Sequence, residues 1–306
     1  MVSPAAPRRS FEFKASRNIV GKVIEIILFL AASISVVTTI AIVVDLIYES
    51  IPFFQVAGLW QFLTGREWGP VFEPPKYGIL PLVSGTLTTT IVALLLAIPM
   101  GTIIAMYLSE FAPAQVREIV KPILELLAGV PTVVYGYFAL LVVTPALQLV
   151  LKDLPGFNML SAGLVIGIMI VPTISSISED AMRAVPVSLR EGSYATGATR
   201  LQTALRVVFP AAISGISSSY ILGISRAVGE TMVVAVAAGL QYRLTFNPAE
   251  SAATITAYIV QVSIGDLPYG SIPYQSVFAA GLVLVFMTLV LNVIGHFLSK
   301  RYREIY

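Results

Sequence analysis

Cysteine is missing from all 306 residues, and histidine occurs once, as His296. Without cysteine there are no disulfides, no thiolate nucleophile and no cysteine metal site. One histidine supports neither a Ser–His–Asp triad nor a histidine-rich metal centre, and His296 reads as a packing or snorkelling residue near the inner end of the last apolar run. No G-x-x-x-x-G-K-[ST] stretch occurs, so the loop with which P-loop ATPases cradle phosphate is absent. Charge is scarce as well: 12% of residues are charged, where a soluble domain carries about 25%. A net charge of +2 is too small to suggest nucleic-acid binding.

What the chain has in abundance is apolar residues, 57% of the total, with a mean hydropathy of +0.86. Six runs reach the roughly 20 residues that one bilayer crossing needs: about 23–47, 79–108, 122–150, 160–178, 210–239 and 275–298. The first has too long an apolar core, and no small-x-small site after it, for a cleaved signal peptide. It is expected to be an uncleaved span. The third and fifth contain prolines and glycines that a bundle can accommodate.

Lysine and arginine set the orientation. With the N-terminus inside, fourteen of the nineteen fall on inner segments, four on outer segments, and Arg226 alone lies within a span. This predicts an all-α bundle of six spans with both termini cytoplasmic. Its parts are an N-terminal tail over 1–22, a single membrane-spanning domain over 23–298, and a C-terminal tail over 299–306. Of the outer segments, 49–78 carries Trp60, Trp68 and GPVFEPP, and is expected to be an ordered, proline-stiffened loop with aromatic anchors at the membrane surface. In the other, 240–274, Ile255, Tyr258, Ile259 and Val262 follow helical spacing and predict a short helix. Gly163 and Gly167 form a GxxxG, which signals close helix packing.

The inner segment 179–209 is unusual. Its part from 188 to 206 suits two short helices, with Gly192 and Gly197 permitting close approach or a sharp turn. An ordinary positive-inside loop fits the same spacing. The stretch EGSYATG, then ATRLQTALR, then VVFP resembles the coupling motif of ABC-importer membrane subunits, E-A-A-x3-G-x9-I-x-L-P. The pattern falls on Glu191, Gly192, Ser193, Gly197, Val207, Phe209 and Pro210 with spacing intact. Together with YGILPLVSGTLTTT, YLSEFAP, LELLAGVPTVVYGYFAL and SRAVGET, it makes the chain similar to PstC-type permeases of bacterial phosphate importers from about residue 77 to the C-terminus.

That resemblance implies a type I importer bundle in the bacterial inner membrane. It implies a PstA-type permease as the other half, two PstB-type ATPases and a PstS-type phosphate-binding protein. The 188–210 segment would dock one ATPase, and ATP and magnesium would be used by that partner, leaving this chain without a cofactor. A permease for sulfate or molybdate would share the coupling motif, and an ion-driven carrier is the alternative from another class.

Arg226 and Glu230 raise the sharpest question. A guanidinium at the bilayer centre costs about 3 kcal/mol on insertion scales, and a pair four residues apart on one helix returns only a few tenths of a kcal/mol. The expectation is a pathway-facing stripe of Gly215, Ser218, Ser219, Leu222, Arg226, Gly229 and Glu230, spaced by threes and fours along one helix. Arg226 would hold an oxyanion through its fork, Ser218 and Ser219 would add hydroxyls, and Glu230 would temper the grip or take a proton. Thr86, Thr88, Thr89 and Thr90 can line a path or bond back to helix carbonyls. Glu125 is expected at the start of the third span, and Asp45 in solvent at the outer end of the first.

Overall fold

Four of the six apolar runs are single helices in the computed structural model, which describes residues 15–301 and the surroundings of side chains from 21 to 297. Most of the two predicted tails lies outside the described residues. The chain divides into two compact units, Met1–Tyr48 and Glu49–Tyr306. Helix α1, Ala15–Ala57, begins in the first unit, where its side chains are exposed almost throughout, Asp45 among them.

In the second unit the outer segment opens with α2, Leu59–Thr64, and a two-residue hairpin, β1 Trp68–Gly69 against β2 Lys76–Tyr77. Trp68 is 4% exposed and Trp60 79% exposed, so the expected pair of surface anchors is corrected to one. Trp68 instead packs edge-on to Tyr258, with ring centroids 5.0 Å apart, inside a cluster with Phe53, Phe62 and Tyr77. A large ring gains more from complete burial among other rings than from a half-wetted position.

The long helix α3, Leu80–Met106, continues through a π-helical turn, Tyr107–Phe111. Its large side chains, such as Ile91, Leu95 and Ile103, point outward. Its buried face is small or hydroxylated: Gly85, Thr89, Ala93, Ala97, Gly101 and Ala105 recur every four residues. That face receives α7, Met159–Arg183. A Cβ at Gly163 would stand 2.7 Å from Val92, one at Gly167 2.8 Å from the Ala93 carbonyl oxygen, and one at Gly101 2.7 Å from Ile174. Lipid offers helices no hydrophobic drive to associate, so close approach over small residues supplies the contact. The GxxxG does what its spacing predicts.

The third and fifth runs are not straight spans. Residues 114–128 form α4, Ala114–Ala128, and α5, Thr132–Phe138, leaves it at 89°, continuing through a second π-turn into α6, Thr144–Gln148. Val130 precedes Pro131, which disfavours helical backbone there, and the Tyr135 hydroxyl donates to the Leu127 carbonyl across the corner at 2.8 Å. Glu125 is therefore an exposed residue of α4 and does not open a span.

The inner segment folds as α8, Val187–Ala195, and α9, Arg200–Thr203, which runs through a third π-turn into α10, Phe209–Ala211. Gly197 between α8 and α9 has φ +84°, a conformation that favours glycine. A 72° elbow at Ala212 then starts α11, Ile213–Val228. After a break come α12, Met232–Ala237, and α13, Ile255–Ile264, where the outer short helix is expected. The last described element is α14, Ile272–Arg301.

Gly163→Val should cost about 1–3 kcal/mol through overpacking of the α3–α7 seam, read as a lower apparent Tm of the purified protein in detergent. A second outcome concerns pH. Burial pushes the Tyr242 hydroxyl up to about 12 and raises Tyr258 as well. Their contribution to stability is complete below the unfolded value of about 10 and is lost as pH rises through the folded values. Titration should show tyrosinate absorbance from these rings appearing together with loss of helical signal, in that alkaline window.

Candidate translocation site

Helix α11 ends at Val228, two residues before Glu230, and this divides the expected stripe. Gly229 caps α11, Glu230 and Thr231 are non-helical, and α12 starts afresh at Met232. Arg226 and Glu230 thus do not share a helix face, which corrects the seven-residue stripe.

The break has a clear local cause. The Glu230 Oε1 atom accepts from the backbone N–H groups of Met232, 3.1 Å, and Val233, 3.2 Å. Its own carbonyl accepts from the Thr256 hydroxyl of α13 at 2.6 Å. Helix starts leave N–H groups without partners, and within a bilayer such groups must be satisfied by the protein itself. A glutamate two residues before α12 does this, while Thr256 pins the interrupted backbone from the other side. Glu230 is 7% exposed.

Arg226 goes elsewhere. Its Nη1 donates to the Thr173 hydroxyl of α7 at 3.1 Å, and among the described residues no ion pair joins it to Glu230 or to any other acid. A half-buried guanidinium with five donors in a planar fork therefore meets one neutral oxygen. The rest of the fork can bind an oxyanion in the bidentate manner that Arg favours.

The two serines separate. Ser219 is fully buried, with its hydroxyl 2.7 Å from that of Ser178 on α7. Gly215 lies on the same packed face, where a Cβ would stand 2.4 Å from Ala181. Ser218 is exposed and bonds back to the Ser214 carbonyl, and with Ile177, Ile221, Leu222, Asn292 and His296 it lines an open groove of about 540 Å³. His296 is exposed along this groove and packs edge-on to Phe297. Of the four threonines, Thr86 and Thr89 bond back to helix carbonyls, and Thr86 also accepts from the Ile255 N–H.

The coupling-motif residues occupy a single elbowed segment. Glu191, Gly192 and Gly197 are exposed, Ser193 bonds to the Thr203 hydroxyl at 2.9 Å, and Val207, Phe209 and Pro210 are half-buried where the segment returns to the bundle. Val187, Tyr194, Leu201 and Leu205 leave apolar surface exposed around them.

Comparison with known proteins adds a decisive finding: the family described as binding-protein-dependent transport system inner membrane component matches residues 97–304. The chain belongs to this family. Over 272 residues the permease is 38% identical to the probable ABC transporter permease protein YqgH of Bacillus subtilis, covering 88% of each chain. It is 34% identical over 291 residues to the phosphate transport system permease protein PstC of Mesorhizobium japonicum, covering 85% of this chain and 87% of that one. Among solved structures, a bacterial alginate ABC transporter in complex with its oligosaccharide-bound periplasmic protein aligns with a TM-score of 0.63 at 18% identity. That alignment covers 94% of this chain and 98% of the other. The MetNI methionine transporter, inward facing, aligns at 0.55 with 17% identity, over 74% and 95%. The fold is that of an ABC-importer permease.

Two clusters were not anticipated from the sequence. Buried Glu179 of α7 accepts from Lys121 of α4 at 2.8 Å, and Lys121 also meets Asp180 at 2.6 Å. Glu110, in the π-turn after α3, pairs with Arg190 of α8. Glu110 carried one visible signal, an acid directly after a long apolar run in YLSEFAP. Glu179 carried none, since acids at an inner boundary are ordinary.

Glu230→Ala should destabilise the protein by about 1 kcal/mol, as the loss of a helix cap does, while Glu230→Gln keeps an acceptor oxygen and should lose less. Thermal unfolding of the two purified variants checks this.

Proposed function

We propose that the chain is one of the two permease subunits of an ATP-driven importer for inorganic phosphate, working by alternating access in a bacterial inner membrane. The observation that carries the substrate class is Arg226, a guanidinium in a bent span that meets one hydroxyl and no carboxylate. An anion with several oxygens suits its unused donors, and the similarity to a PstC of Mesorhizobium japonicum supports phosphate as that anion. Thr173 orients the guanidinium, Ser218 offers a hydroxyl in the open groove beside α11, and Glu230 holds the helix break rigid without neutralising the cation. Ser219 keeps α11 seated on α7 in this conformation.

In this reading both termini face the cytoplasm, and Glu191, Gly192, Ser193, Gly197, Val207, Phe209 and Pro210 form the surface that docks an ATPase. The partners are a PstA-type permease, a PstB-type ATPase pair that uses ATP and magnesium, and a PstS-type binding protein on the outer face. The chain itself binds no cofactor and hydrolyses nothing. ATP binding shifts the equilibrium because the ATPase pair holds the docking segments differently in the two states.

Liposomes carrying the whole importer should take up labelled phosphate only with ATP inside the compartment that holds the ATPases. Arg226→Gln should abolish uptake and leave the assembled complex intact. Competition by sulfate at equal concentration would reassign the anion, and uptake without ATP would overturn the importer reading.

A further inference from the structure

Glu110 and Arg190 lie 80 residues apart and belong neither to the anion site nor to the exposed docking surface. Their side chains are 6% and 15% exposed. Arg190 Nη2 donates to Glu110 Oε1 at 2.9 Å and Nε to Oε2 at 3.3 Å, a two-pronged pair. The same guanidinium also donates to the carbonyls of Val185, 2.6 Å, and Met182, 2.8 Å. Ser109 steadies the carboxylate with a further bond of 2.8 Å.

Each partner sits at an element end that needs it. Met182 is in the last turn of α7 and Val185 just beyond its cap; the Met182 carbonyl also accepts from the Val185 N–H at 3.2 Å and has a second lone pair for Arg190, and a helix C-terminus favours a cation. Glu110 projects from the π-turn that finishes α3, and such turns, rare within helices, are frequent at functional positions. One side chain of α8 therefore fastens the ends of both α3 and α7. The next residue, Glu191, begins the coupling motif and is exposed. Neighbours on a helix project about 100° apart, so Arg190 faces the bundle while Glu191 faces outward.

Apolar contacts also join this segment to the bundle, through Met182, Val185, Val208 and Ile216 with Leu189 and Phe209 against them. Such contacts resist separation but have no fixed direction, whereas a planar fork bonded at both prongs and to two carbonyls resists rotation and sliding as well.

We propose that the Glu110–Arg190 clasp is the rigid link by which displacement of the docking segment is passed to α3 and α7. Arg190 is then a positioning residue for coupling, with no contact to substrate. This rests on the reading of 188–210 as the ATPase-docking segment.

The test uses the complete importer in liposomes, measuring ATPase bound, ATP hydrolysed and phosphate taken up. In Arg190→Met and Glu110→Gln the ATPase should remain bound and basal hydrolysis should continue. Uptake per ATP should fall roughly tenfold, within the usual range of coupling between sites. Arg190→Lys should recover only part, because an ammonium keeps the charge but not the fork. A native uptake-to-hydrolysis ratio in both clasp variants would overturn the proposal, as would a loss of uptake that merely tracks loss of assembled complex. Glu191→Arg/Leu201→Asp, placed on the exposed side, should release the ATPase. If it does and the clasp variants stay coupled, the docking reading stands and the clasp alone is refuted; if the ATPase stays bound, both fall.

Discussion

The close approach of α3 and α7 is the constraint on which the rest of the permease depends. Two helices in lipid gain nothing by hiding from their solvent, so they must gain by touching at many points at short range. Glycine at 163, 167 and 101 allows the backbones to meet side chains that a Cβ would displace. Helix α11 is then laid on the pair, with Ser219 against Ser178, the Tyr220 hydroxyl 2.6 Å from Thr102, and Gly223 against Ile170 and Ile174. Arg226 reaches Thr173 because α11 is seated there.

Against this rigid seam the irregular backbone stands out by its placement. The break at Gly229–Thr231 interrupts a span, and every freed group there that the structure accounts for is met by a side chain or a carbonyl already in position. The Glu230 carboxylate serves two N–H groups, and Thr256 serves the carbonyl. A helix that continued unbroken would carry Glu230 around to the side of Arg226, where the two could pair and cancel. Ending the helix at Val228 turns the carboxylate toward α12 and leaves the cation available. The broken span is thus an electrostatic device as much as a geometric one.

Composition and spacing made a good part of this legible. Hydropathy located the six runs, helical spacing located α13, the GxxxG located the seam, and the inner segment was read as two short helices with a turn glycine, which are α8, α9 and Gly197. Direction was not legible. A hydropathy window records that 122–150 and 210–239 are apolar but not that the backbone turns by 89° at Gly129–Pro131 or by 72° at Ala212. Periodicity assumes the helix it tests for, so the stripe from Gly215 to Glu230 looked continuous across a break. Trp68 misled for a related reason. An aromatic in a loop near a span fits a surface anchor, and only the partner rings, contributed from 53 to 258 along the chain, give it a core. The acids Glu110 and Glu179 find their cations through tertiary proximity, which no local pattern encodes.

The two ends of the molecule are fastened by different chemistry. Where the segments 49–78 and 240–274 meet, Phe53, Phe62, Trp68, Tyr77 and Tyr258 interlock edge to face. At the other end, Glu110 with Arg190 and Glu179 with Lys121 hold α3, α4, α7 and α8. Ring-to-ring contacts are largely indifferent to dissolved ions, and a charge pair withdrawn from water, as Glu110–Arg190 is, is screened far less than an exposed pair such as Lys76–Glu67. Rising salinity therefore loosens the exposed pairs first and leaves both fastenings closed.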